Sequence, residues 1–205
     1  MDGAITIVEY LKLVQNAELE GVAFWAFPLD TADFVTETSE GLTLFPEVVE
    51  LGFLNKPPLY LTWDQVEYDV QVIVTTQLHL RRNTYRLDRI SMRAKKKSEP
   101  RLIGSRLKSA CAYTTDQVSE RRIVAIRHVF SSASGHEMSL WVATGCAVGS
   151  GLASEFIVSP SAPESKLELV PIVTLDGSGI SILHMYKDGN HLTVAAAGAD
   201  QAAVV

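Results

Sequence analysis

Cysteine is scarce in this chain of 205 residues. Cys111 and Cys146 are the only two, far apart and outside any Cys-x-x-Cys spacing. That argues against a disulfide framework or a cysteine zinc site, and it reads as reduced, partly buried thiols in a reducing compartment. Long apolar runs are missing too. No uncharged apolar stretch reaches the roughly 18 residues needed to span a bilayer as a helix. The chain does not open on a basic segment followed by an apolar one, and it holds no Asn-x-Ser/Thr acceptor. The expected location is therefore intracellular and cytoplasmic.

The motifs of common chemistries are absent as well. There is no Gly-x4-Gly-Lys-Ser/Thr and no Gly-x-Gly-x-x-Gly after a strand, so Gly149-Ser150-Gly151 and Gly177-Ser178-Gly179 read as turns. His79, His128, His136, His184 and His191 show neither His-x-His nor His-x3-His spacing. His136-Glu137 lacks the second histidine of a zincin helix, because Leu140 stands there. They read as surface or strand-face side chains. No Gly-x-Ser-x-Gly elbow occurs. Cys111 lies among cations that would lower a thiol pKa, but it reads better as a buried cysteine on the apolar face of a helix. Glu67 and Asp69 at i, i+2 read as a solvated strand face. The expectation is a chain that is not an enzyme, with no catalytic residue, no metal, no cofactor and no small-molecule substrate.

What the chain does have is a sharp partition of charge. Residues 81–127 hold 14 of the 18 Lys and Arg residues against four acids, Asp88, Glu99, Asp116 and Glu120. That segment is +10, residues 1–80 are −11 and residues 128–205 are −5, which sum to the overall −6. Eleven cations fall within 28 residues: Arg81, Arg82, Arg86, Arg89, Arg93, Lys95, Lys96, Lys97, Arg101, Arg106 and Lys108. Such a block suits nucleic acid, an anionic membrane or the acidic flank of another copy. If six of them met phosphates, the salt slope on a single strand would be about −4. Tyr85 and Tyr113 are the aromatics near them, few for base stacking, so backbone contact without sequence reading is expected. The alternative is a solvated basic face neutralised by this chain's own acids.

The apolar pattern is mainly β. Residues 4–19 carry Ala4, Ile7, Val8, Leu11 and Val14 on one stripe, which predicts an N-terminal helix within 1–20, capped by Asp2 and closed by Gly21. Val22–Phe27 reads as a short buried strand, and 29–58 as loop with short elements at Leu42–Phe45 and Val48–Leu54. From Val66 to Leu80 the even positions are Val, Tyr, Val, Val, Val, Thr, Leu and Leu, a period of two. Fifteen extended residues would span about 50 Å, against a radius of gyration of about 17 Å for this length, so the strand is expected to be bent, bulged or divided, or to project beyond one compact unit. The basic middle, 81–112, is expected as a helical or loop insertion, with helices at Thr84–Lys97 and 99–112. Beyond it, strands are predicted at Arg122–Phe130, Met138–Val148, Glu155–Val158, Leu167–Leu175, Ile180–Tyr186 and His191–Ala197. Ser131–Gly135 reads as a turn-rich link, and Lys187-Asp188-Gly189-Asn190 marks a hairpin turn. The tail Thr193–Val205 is apolar apart from Asp200 and suits addition to a neighbouring sheet edge.

These elements predict one mainly β domain over 1–205, an antiparallel β-sandwich or barrel-like fold of jelly-roll or matrix type. A β-rich chain with a basic middle and an apolar tail resembles viral β-sandwich coat and matrix proteins in composition and strand rhythm. Many plant-virus coats hold their basic residues in an N-terminal arm, whereas residues 1–20 here are acidic. The resemblance implies a self-assembling structural protein within a virus particle, its partners being copies of itself and RNA or an anionic membrane. The alternatives are a small RNA-binding regulator and a barrel-type carrier or enzyme for a small molecule.

Overall fold

A computed structural model of the chain describes residues 3–26, 35–38, 41–44, 47–66, 69–78, 88–91, 102–115, 122–144, 156–162, 168–188 and 191–196. It opens with a two-residue strand, β1 (Ala4–Ile5), and a helix, α1 (Ile7–Val14). Thr6 starts that helix. Its hydroxyl accepts from the Glu9 amide at 3.2 Å while the Glu9 carboxylate accepts from the Thr6 amide at 2.8 Å, a reciprocal capping box. Ile7, Tyr10, Leu11 and Val14 are buried, the i, i+3, i+4, i+7 face that the apolar stripe predicts. The helix is shorter than 4–19. Its cap is Thr6 instead of Asp2, and its end is set by Asn16, at φ 55°, instead of Gly21.

Strands follow: β2 (Leu19–Ala26), β3 (Val35–Thr38), β4 (Gly41–Leu44), β5 (Val48–Phe53), β6 (Leu59–Val66) and β7 (Asp69–Thr75). Gly21 sits inside β2, where the register against β5 shifts between Leu19 and Gly21. The long period-two run is divided. Val66 ends β6, Asp69 opens β7, and the two residues pair with each other. Leu61 stands opposite Val74, so the core-facing positions are odd in β6 (Leu59, Leu61) and even in β7 (Val70, Val72, Val74). Glu67 lies outside the described residues.

The basic middle is where the expectation fails. Among the described residues it contains no helix. Asp88–Ser91 is a strand, β8, paired with Ala23–Ala26 of β2, and Arg106–Thr115 is a ten-residue strand, β9. The cause is a bulge. In β9 the register against the next strand skips Lys108, so Leu107 and Ala110 both face the core although they are three apart. That spacing imitates a helical period. Ile90 of β8 stands opposite Phe24 in the ladder, so its place is settled by sheet pairing instead of local propensity.

The remaining strands match the alternation: β10 (Ala125–Ser131), β11 (Glu137–Thr144), β12 (Phe156–Ser159), β13 (Leu169–Asp176), β14 (Gly179–Asp188) and β15 (His191–Ala196). Gly135, at φ 82°, closes the β10–β11 turn. Asp188 pairs with His191, as the Asp-Gly signature requires. The first half of β14 pairs with β13 and its second half with β15.

Two antiparallel sheets result, ordered β1-β7-β6-β5-β2-β8 and β15-β14-β13-β9-β10-β11-β12-β4-β3. They form a β-sandwich without a closed barrel, so the barrel version of the fold is set aside. One core joins them. Phe24, Val49, Leu51, Phe53, Leu61 and Val72 meet Leu107, Ile126, Phe130, Leu140, Val142 and Leu175, with α1 closing over β9, β13 and β14. The chain just before β10 and the end of β11 stitch the layers together. Ile123 O accepts from the Val72 amide at 2.7 Å, and the Thr144 hydroxyl donates to Val70 O at 3.2 Å.

Candidate functional site

Eight of the eleven expected contact cations, Arg81, Arg82, Arg86, Arg93, Lys95, Lys96, Lys97 and Arg101, lie outside the described residues. Arg89 is placed by its backbone, in β8 at the end of the smaller sheet and opposite Trp25. Arg106 and Lys108 stand on β9, strongly exposed at 74% and 58% of their side chains. Each meets a carboxylate of the same chain. Arg106 Nε is 3.8 Å from Glu18 Oε2, and Lys108 is ion-paired with Glu137. Such surface pairs contribute between zero and about 1 kcal/mol of stability. They nonetheless cancel two charges locally.

A third cation of the basic region, Arg127, is placed differently. Alternation on β9, β10 and β11 turns Ala112, Ile126, His128, Leu140 and Val142 inward. Cys111, Tyr113, Arg127, Ser139 and Trp141 therefore face outward. In the ladder Arg127 stands opposite Trp141 on one side and Cys111 on the other, while Ala125 stands opposite Tyr113 and Ala143. The small Ala125 lets Tyr113 and Trp141 meet above β10, with ring centroids 5.3 Å apart and planes 28° apart. The guanidinium lies over the Trp141 ring at 5.6 Å, and its Nε and Nη2 donate to Ser139 Oγ at 3.4 and 3.3 Å. Trp141 is only 8% exposed and forms the floor, while Tyr113 and Arg127 are partly open to solvent. β10 is the fifth of nine strands, so this cluster sits at the centre of the larger sheet.

Burial sets the titration of the cluster. It pushes the Cys111 thiol up, with Arg127 opposing, so this is no activated thiolate. Cys111 also lies on a strand, where a helical position was expected. Burial raises the Tyr113 hydroxyl as well, and the phenol stays neutral.

His128 faces the opposite way, into the core, and is wholly buried instead of lying on an open strand face. Its Nδ1 lies 3.3 Å from Leu140 O, a group that only accepts, so Nδ1 carries the proton. Nε2 is then bare and accepts from the Tyr10 hydroxyl at 2.6 Å. This bond ties α1 to the middle of β10. Desolvation lowers the His128 pKa to about 4.

No protein-family model, curated protein or solved structure matches this chain.

Among the described residues no group of three His, Cys, Asp or Glu side chains is placed to hold a metal ion, and no helix is long and apolar enough to cross a membrane. Gly177-Ser178-Gly179 is the β13–β14 turn, held by Asp176 Oδ1 accepting from the Ser178 amide at 2.7 Å. A half-open groove of about 300 Å³ runs beside β7, lined mainly by Ile5, Ile7, Val72, Val74 and Ile123. Its polar groups are Gln71 and Thr6, and the Thr6 hydroxyl is already committed to capping α1. A barrel-interior carrier has no closed barrel to use. The sequence reading passed over Arg127 and Trp141. The available signal was their alternation with core residues on two strands joined by a short turn.

Proposed function

We propose that this chain is a non-enzymatic structural protein that assembles with copies of itself, of coat or matrix type. The charge partition carries the reading. A +10 segment between flanks of −11 and −5 favours head-to-tail contact between subunits, which closes into rings or shells or runs on as a lattice. Arg106 and Lys108 are matched within the chain, so the contact falls to Arg81, Arg82, Arg86, Arg89, Arg93, Lys95, Lys96, Lys97 and Arg101. Of these only Arg89 is among the described residues, in β8 at the end of the smaller sheet, and a neighbouring copy, nucleic acid or an anionic membrane is the partner proposed for the set. At the end of the larger sheet, β15 opens the apolar tail, and it suits strand addition between copies. The second reading, a small RNA-binding regulator, is favoured by the Arg127 cluster and would form no larger array.

A variant with Arg93, Lys95, Lys96 and Lys97 changed to Gln tests the assignment. It is expected to elute early from heparin and to sediment as a smaller species than the parent at low salt. A variant with Arg106 and Lys108 changed to Gln should behave as the parent does. Unaltered heparin retention and particle size in the first variant would overturn the assignment.

A further inference from the structure

Of the three cations on β9, β10 and β11, the one that meets no carboxylate among the described residues is also the most enclosed. Arg106 faces Glu18 and Lys108 faces Glu137, yet Arg127 meets only Ser139, Trp141, Tyr113 and Cys111 among the described residues. A guanidinium has five N–H donors in a planar fork. Two of them point at Ser139 Oγ and the guanidinium also donates to the Tyr113 hydroxyl, which leaves part of the fork without an acceptor among the described residues. The fork is nevertheless held in place, by the Trp141 ring beneath it and the Ser139 hydroxyl beside it. A cation fixed in one pose, partly withdrawn from water and short of acceptors is organised for an anion with several oxygens.

The neighbours narrow the anion. Tyr113 is partly open, and its stacking on Trp141 fixes the plane of its ring. Its hydroxyl stays protonated and is held by hydrogen bonds with Cys111 and Arg127, so the ring face is what it offers a ligand. Arg106 and Lys108 are matched by Glu18 and Glu137, so the positive balance of the outer face of β9, β10 and β11 among the described residues is the single charge of Arg127. An aromatic platform beside a fixed guanidinium, on a sheet face of positive balance, matches single-stranded nucleic acid. Its phosphates supply the oxygens and its bases supply the π-faces. An acidic peptide would satisfy Arg127 but would leave Tyr113 unused. We infer that the outer face of β9, β10 and β11 binds a short single-stranded nucleic acid segment, with a phosphate on Arg127 and a base against Tyr113. The site uses none of the cations of the Arg81–Arg101 stretch and does not depend on assembly.

The test uses the full chain and a fluorescein-labelled oligouridylate of about eight nucleotides, within the range one sheet surface covers. A matched abasic oligomer supplies phosphates without bases, and polyglutamate supplies an acidic polypeptide. The base-bearing strand is expected to bind about tenfold tighter than the abasic one. Tyr113→Leu should erase that difference, and Arg127→Gln should weaken both strands. Arg127→Lys, which keeps the charge but loses the fork, should fall between Arg127→Gln and the parent. The variant neutralised at Arg93 and Lys95–Lys97 should keep the preference for bases even where assembly is lost, so the two readings fail separately. Thermal unfolding checks each variant; if Arg127→Gln does not fold, Tyr113→Leu and Arg127→Lys carry the test. Equal binding of base-bearing and abasic strands, displacement of the oligouridylate by polyglutamate at matched charge, or parental binding by Arg127→Gln would each overturn the inference.

Discussion

Acidification from pH 7 to pH 4 is expected to remove about 3 kcal/mol of folding stability through one side chain, His128. In the folded chain its pKa is lowered to about 4 from the ordinary 6.5. Between these values the unfolded chain binds a proton that the folded chain refuses, so stability falls as pH falls through that window. Above about 6.5 the contribution is complete, and below about 4 it is gone. The groups around the ring make no provision for the charge. The Tyr10 hydroxyl comes from α1, the Leu140 carbonyl from β11 and the Phe130 ring from β10 itself, with ring centroids 6.2 Å apart. None of them is a carboxylate. Urea unfolding at a series of pH values measures the effect. His128→Gln provides the control, since an amide can accept from Tyr10 and donate to Leu140 without titrating, so its profile should be flat between pH 4 and 6.5. A parental profile already flat across that window would show that His128 is not enclosed as described.

The second large effect concerns the shared core. Phe130 is fully buried on β10, in the core the two sheets share. Phe130→Ala should cost about 3–5 kcal/mol, the transfer term plus the cavity left by an incompletely collapsing site. Against a total stability of about 5–15 kcal/mol, that brings a domain of this size close to unfolding. Phe130→Leu keeps most of the volume and should cost less than about 1.5 kcal/mol. Denaturant midpoints give both values. A loss below about 1 kcal/mol for Phe130→Ala would mean that the sheets do not bury a common core at this point.

The parts of the fold that were legible before the structure are those set by local alternation. Val70, Val72 and Val74 point inward as the period of two requires, and the turns at Ser131–Gly135 and Lys187–Asn190 join strands that pair. What was not legible depends on partners far along the chain. A one-residue bulge at Lys108 gave β9 a three-residue spacing that reads as helix until β10 is laid beside it. Tyr10 and His128 are 118 residues apart, and nothing local to either announces the bond. Arg127, Tyr113 and Trp141 become neighbours only through the register of β9, β10 and β11. The reverse also holds. Arg106 and Lys108, prominent in the sequence as members of a cationic block, are quieted by Glu18 and Glu137, and Glu137 comes from a strand two places away in the sheet.

The most direct test of self-assembly is particle size against ionic strength, by light scattering and electron microscopy of the purified chain. Contact between opposite charges on neighbouring copies predicts closed particles or arrays at low salt. These should shrink toward single subunits as the Debye length falls from about 30 Å at 0.01 M to about 3 Å at 1 M. A monomer of 22.4 kDa at every ionic strength, at high protein concentration and with no retention on heparin, would contradict the account.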